Sequence, residues 1–216
     1  MNPILITGCA RSGTSMSAGI INMNGAFGGT MSGPNRSNQK GMFENATIRN
    51  AIVKPWLQSH GYDPMCQTPL PDVTNLPPWP ALKHSVDEVF RLQGYQKGPW
   101  FYKGAKMCLM WPRWHEAYPG AKWIIVRRED SAIVNSCLKT GFMRKRSTVE
   151  SWQEWINYHK MCFQQMHSAE LQVREVWPSK FVEGDYTEIR EVVEWAGLTF
   201  DEAAARKFIS PELYGG

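Results

Sequence analysis

The chain has 216 residues, 43% hydrophobic and 20% charged, a balance that suits one folded domain with a sizeable core and excludes a disordered or fibrous chain. Its formal net charge of +4 is too mild to call for nucleic acid as a partner. No stretch approaches the roughly 18 uninterrupted apolar residues of a membrane span, and the first strand-like run starts too early to leave room for a secretion signal. The five cysteines (9, 66, 108, 137 and 162) are scattered, odd in number and without a CxxC pair, which fits a reducing compartment and sets the expectation of a cytoplasmic protein.

In chain order, the apolar run Ile4 to Thr7 predicts a strand, and a helix follows from about Thr14 to Asn24, stopping at Gly25. The segment from Gly61 to Pro99 holds seven of the fourteen prolines and one helical patch at Leu82, Val86, Val89 and Phe90. It reads as an insertion within a single domain spanning residues 1–216, either a lid or binding loop or a static surface excursion. Further strands are predicted at Trp100 to Lys103, Trp123 to Val126 and Lys180 to Glu183. A helix capped by Asp130 runs to about Gly141, and a longer one opens on a capping box, Ser147-x-x-Glu150. The longer helix carries Trp152, Trp155, Ile156, His159, Cys162, Phe163 and Met166 at spacings of three and four, a stripe read as core with His159 as a packed histidine. Two last helical segments, Thr187 to Ala196 and Asp201 to Phe208, complete an α/β pattern: a parallel sheet with helices on both faces.

Two places carry chemistry. Gly8-Cys9-Ala10-Arg11-Ser12-Gly13-Thr14-Ser15 lies between the first strand and the first helix, where glycines let backbone N–H groups turn to an anion at the positive helix end. A nucleotide-hydrolysing G-x-x-x-x-G-K-[ST] loop has Lys after its second glycine; here Thr14 holds that place, and the basic residue, Arg11, precedes Gly13 by two. A different phosphate ester is expected. Arg128 follows the strand ending at Val126, with Ser136 eight residues on, so a guanidinium and a hydroxyl can converge on one phosphate. Ligands of open parallel sheets bind outside the carboxyl ends of the strands, which would put both places in one cleft. The histidines show no metal-ligand spacing and the carboxylates no compact cluster, so no metal is expected.

Together these segments resemble the sulfotransferase family, whose donor is 3′-phosphoadenosine 5′-phosphosulfate. Arg11 to Ser15 is similar to that family's 5′-phosphosulfate loop, and Ala121 to Arg128 with Ser136 to its 3′-phosphate motif. Gly41-Met42-Phe43-Glu44-Asn45 resembles a G-[YF]-F-E segment of bacterial and phage-like members, Lys103-Gly104-Ala105-Lys106 their K-D-P-R segment, and the tail from Val182 the usual C-terminal end. The departures are the missing G-x-x-G-x-W-K segment, the loss of Asp and Pro from K-D-P-R, and Cys108 at the place of the histidine base of eukaryotic cytosolic members.

The resemblance implies a P-loop-like three-layer fold. It implies sulfuryl transfer to a hydroxyl of a small molecule or glycan, with an amine as second choice, releasing adenosine 3′,5′-bisphosphate. Arg11, Ser12, Gly13, Thr14, Ser15, Arg128 and Ser136 would bind the donor, with Arg11 and the N–H groups of Ser12 to Ser15 also stabilising the leaving oxygen. Glu44 is the candidate base, its alternative being a carboxylate at a helix N-terminus before Ile48. Lys103 or Lys106 would supply a cation at the sulfuryl oxygens; continued strand alternation would leave only one of them facing the site. Arg144-Lys145-Arg146 is either a solvated turn or a contributor to the cleft. The competing functions are an ATP-dependent phosphotransferase and a catalytically silent nucleotide-binding module.

Overall fold

Four parallel strands organise the computed structural model, which describes residues 2–35 and 38–214. They are β1 (Ile4–Gly8), β2 (Phe101–Lys103), β3 (Lys122–Val126) and β4 (Gln172–Val176), in the order β2-β1-β3-β4. From β1 the chain returns on one side as β2 and then crosses to the other as β3. The order therefore reverses between β1 and β3, where open α/β sheets hold ligands. Their register sets Gly8 beside Val126, so the loops after both strands leave the sheet side by side.

Alternating side chains of the sheet feed two cores. Leu5, Tyr102, Trp123 and Ile125 join one face, covered by α2 (Lys54–Ser59), α3 (Leu82–Leu92), α4 (Trp111–Ala117), α5 (Asp130–Lys139) and α6 (Val149–Ser168). Ile4, Ile6, Phe101, Ile124 and Val126 join the other, covered by α1 (Thr14–Met23), α7 (Pro178–Val182), α8 (Thr187–Trp195) and α9 (Glu202–Phe208). This is the expected three-layer α/β arrangement. Among the described residues no helix is long and apolar enough to cross a membrane.

Three local expectations are corrected. The fourth strand is Gln172–Val176 and not Lys180 to Glu183, which falls on α7 and the turn after it; Pro178 at the helix start fixes φ there without removing a needed donor. The capping box of α6 is Thr148 with Ser151, since Thr148 is the extended residue that precedes the first helical turn. Asp130 does not cap its helix: its carboxylate reaches across to Lys160 at 2.6 Å and Gln153 at 2.8 Å on α6, bracing α5 against it.

The proline-rich segment is built into the first core. Val73, Leu76, Leu82, Val86 and Phe90 are buried there, Trp79 stacks on Trp56 at 4.3 Å, and Tyr158 donates from α6 to the Pro71 carbonyl. The α6 stripe is also core, as expected: its seven residues from Trp152 to Met166 are all buried.

Candidate active site

Two glycines shape the turn from β1 into α1. Gly8 has φ +155° and a Cβ there would stand 2.5 Å from the Val126 carbonyl oxygen; Gly13 has φ +95°, and its Cβ would meet Pro178 at 2.8 Å. Between them Arg11 adopts a left-handed φ of 72°, uncommon for a side chain with a Cβ. The Ser12 N–H and hydroxyl both donate to the Cys9 carbonyl, at 3.2 and 2.7 Å, so Ser12 closes the turn and its N–H is already engaged. The first helical bond runs from Met16 N–H to Gly13 O. The N–H groups of Gly13, Thr14 and Ser15 thus precede the helical ladder, the arrangement that receives an anion.

The second motif meets the first. Arg11 Nε donates to Ser136 Oγ at 2.9 Å, across 125 residues of sequence, and Ser136 is buried on α5. Arg128 donates through Nη1 to the Arg11 carbonyl at 2.8 Å and through Nη2 to the Tyr214 carbonyl at 2.7 Å, with the Tyr214 ring 4.5 Å from its guanidinium. Its Nε is buried without a hydrogen-bond partner among the described residues. Burial, and then the neighbouring Arg128 charge, hold the Arg11 guanidinium below its usual range, although Cys137 opposes this. Two cations and a hydroxyl thus meet here, groups of the kind that can receive an anion. The Arg11 side chain, expected at the leaving oxygen, is directed to Ser136.

A cavity of about 430 Å³ runs from this loop to α6, within the size range of small-molecule sites. Glu44 lies along it, 5% exposed. The helical N-terminus before Ile48 is served by Asn45, whose Oδ1 accepts the Ile48 N–H at 3.1 Å, so Glu44 is not a capping carboxylate. Instead Glu44 Oε2 faces Lys103 Nζ at 3.6 Å, and Oε1 is buried with no hydrogen-bond partner among the described residues. A buried oxygen left without a partner is costly. Burial lowers the Lys103 ammonium from its usual range, while Glu44 works the other way.

Lys106 also lines the cavity and donates to the Pro64 carbonyl at 2.6 Å. Both lysines reach the cavity because β2 ends at Lys103 and a 3-10 helix starts at Ala105, so strand alternation does not separate them. Cys108 is fully buried and burial pushes its thiol well above the usual range, which rules it out as a base.

The far wall comes from the proline-rich segment. Asp63 anchors it, accepting from the Gln67 N–H at 2.8 Å and pairing with Lys145 at 3.0 Å. Gln67 bonds Phe142 O and the Lys145 N–H, and Trp155 Nε1 donates to Cys66 O at 2.7 Å. Arg146 donates to Gln67 O and Ser151 O, so Lys145 and Arg146 tie loops together. Met65, Phe142, Met143 and Trp155 thereby become cavity wall. His159 also lines it, with Nδ1 2.8 Å from the Trp155 carbonyl; burial lowers its pKa to about 4. Sequence reasoning missed Arg49 and Lys54, which line the cavity from a segment without a motif, and Tyr214.

A parallel sheet with an anion-receiving loop at its switch point, next to a buried carboxylate and two lysines, defines an α/β group-transfer site. Residues 102–198 match the family model of the sulfotransferase domain. That match includes Lys103, Lys106, Arg128 and Ser136, while Arg11 and Glu44 lie before it. A crystal structure of sulfotransferase STF1 from Mycobacterium tuberculosis H37Rv is similar at 13% identity and a TM-score of 0.40, over 99% of this chain and 75% of that one. No curated protein matches. Just under half of the chain is thus similar to a sulfotransferase domain, whose general chemistry is sulfuryl transfer.

Proposed function

We propose that this chain, acting as one domain over residues 1–216, uses 3′-phosphoadenosine 5′-phosphosulfate to sulfate a hydroxyl, or as second choice an amine, of a small molecule or glycan. One observation carries the reading. Glu44, a buried carboxylate paired with Lys103, lines the same cavity as the phosphate-type loop and as Arg11 and Arg128, with Ser136 bonded to Arg11. The residues fit the donor: Gly13, Thr14 and Ser15 offer N–H groups outside the helical ladder, and Arg128 keeps a buried Nε without a hydrogen-bond partner among the described residues. When bound, the donor supplies an activated sulfuryl group.

Each residue then has a distinct task. The N–H groups of Gly13, Thr14 and Ser15 hold the 5′ end and Arg11, Arg128 and Ser136 the 3′-phosphate. Glu44 Oε1 accepts the proton of the acceptor hydroxyl, a task for which a carboxylate needs an open lone pair aimed at the cavity. Lys103 holds the other carboxylate oxygen and, with Lys106, places positive charge where sulfuryl oxygens would lie.

The test is transfer from radiolabelled donor to a panel of hydroxylated acceptors in the presence of a chelator. Labelled product with release of adenosine 3′,5′-bisphosphate is expected. Magnesium-dependent transfer from ATP and none from the sulfated donor would replace the proposal with a phosphotransferase.

A further inference from the structure

Arg49 and Lys54 lie beyond Glu44 from the phosphate loop in sequence and take no part in the roles above. Both line the cavity, as does Lys106. Residues five apart on an α-helix point about 140° away from each other. Here Ile48–Val53 is a π-helical turn, and the Lys54 N–H bonds the Arg49 carbonyl five residues back. The wider turn brings positions i and i+5 toward one face, and such insertions recur at functional sites. None of Arg49, Lys54 and Lys106 forms an ion pair among the described residues; the nearby carboxylate, Glu44, already faces Lys103. Burial, then Arg49 and Lys106, lower the Lys54 ammonium from its usual range.

Arg49 and Lys106 lie close enough to Lys54 for their charges to disfavour its own, a repulsion that a bound anion would relieve. The same cavity is also lined by Met65, Phe142 and Trp155, which favour an apolar or aromatic body. Resting on the reading of this cavity as the acceptor site, we propose that the acceptor is an amphipathic acid. An anionic group, carboxylate, phosphate or sulfonate, would seat on Arg49 and Lys54, and an apolar body would lie against Met65, Phe142 and Trp155.

The probes are 1-anilinonaphthalene-8-sulfonate and its uncharged relative N-phenyl-1-naphthylamine, titrated into the protein with and without saturating adenosine 3′,5′-bisphosphate. The sulfonate is expected to bind the nucleotide-loaded protein. Its affinity should fall about tenfold or more in an R49Q/K54Q variant and be kept in R49K/K54R. Affinity for the naphthylamine and for the nucleotide should not change. Equal sulfonate affinity in R49Q/K54Q, or loss of the sulfonate on nucleotide loading, would overturn the proposal. Failure of the nucleotide to bind, with sulfonate binding still dependent on Arg49 and Lys54, would instead overturn the donor assignment and leave the anion site standing.

Discussion

Replacing Ser136 by Ala removes one hydroxyl, and the structure says which ligand should notice. Ser136 Oγ accepts from Arg11 Nε at 2.9 Å and is 1% exposed, so no water takes its place freely. A hydrogen bond to a charged group is worth about 1.5–3 kcal/mol, or roughly a 10–100-fold loss of affinity at about 1.4 kcal/mol per tenfold. Calorimetry should show that loss for adenosine 3′,5′-bisphosphate. Adenosine 5′-monophosphate, which lacks the 3′-phosphate, should bind S136A within about twofold of the parent. Because Arg11 and Ser136 act as one unit, R11Q/S136A should lose little more than R11Q alone. Equal losses for both nucleotides, or additive losses in the double variant, would refute the convergence of the two motifs on one phosphate.

Glu44→Gln should lower turnover about 100–10,000-fold and leave adenosine 3′,5′-bisphosphate affinity unchanged, checked by paired kinetics and calorimetry. Gly8→Ala puts a Cβ 2.5 Å from the Val126 carbonyl oxygen; a cost of about 2 kcal/mol should lower Tm by about 4–8 °C in a thermal melt. Acid should weaken the fold in two windows, read by denaturant melts across pH. His159 is lowered by burial from 6.5 to about 4, so stability falls as pH drops through that interval, where the unfolded chain binds the proton first; His159→Gln should flatten this stretch. Burial raises the Asp63 carboxyl, but N–H groups of Gln67, Met65 and Thr68 and the Lys145 ammonium outweigh it and hold its pKa down. Its contribution is therefore present above the ordinary carboxylate value near 3.8 and lost below it, and Asp63→Asn should remove that second decline.

The strands legible in the sequence are those buried on both faces. Ile4 to Ile6 and Trp123 to Val126 are continuous apolar runs because helices cover the sheet on either side. Gln172–Val176 has the opposite character: it is an edge strand with Gln172 and Arg174 exposed, so its composition carries little strand signal. The apolar pair Phe181-Val182 drew the expectation to a helix that Pro178 starts. At the site, Arg11, Arg128 and Ser136 could be paired because strand ends bring fixed spacings together. Arg49 and Lys54 could not, because a π-helical turn leaves no period to read; nor could the common reach of Lys103 and Lys106, which depends on where β2 stops.

The measurement that bears most directly on the donor assignment is calorimetric binding of adenosine 3′,5′-bisphosphate beside ADP and ATP, each with and without magnesium. Tight, magnesium-independent preference for the 3′,5′-bisphosphate is the result expected from a site in which Arg11, Arg128 and Ser136 meet beside the N–H groups of Gly13 to Ser15. A preference for ATP with magnesium would contradict it.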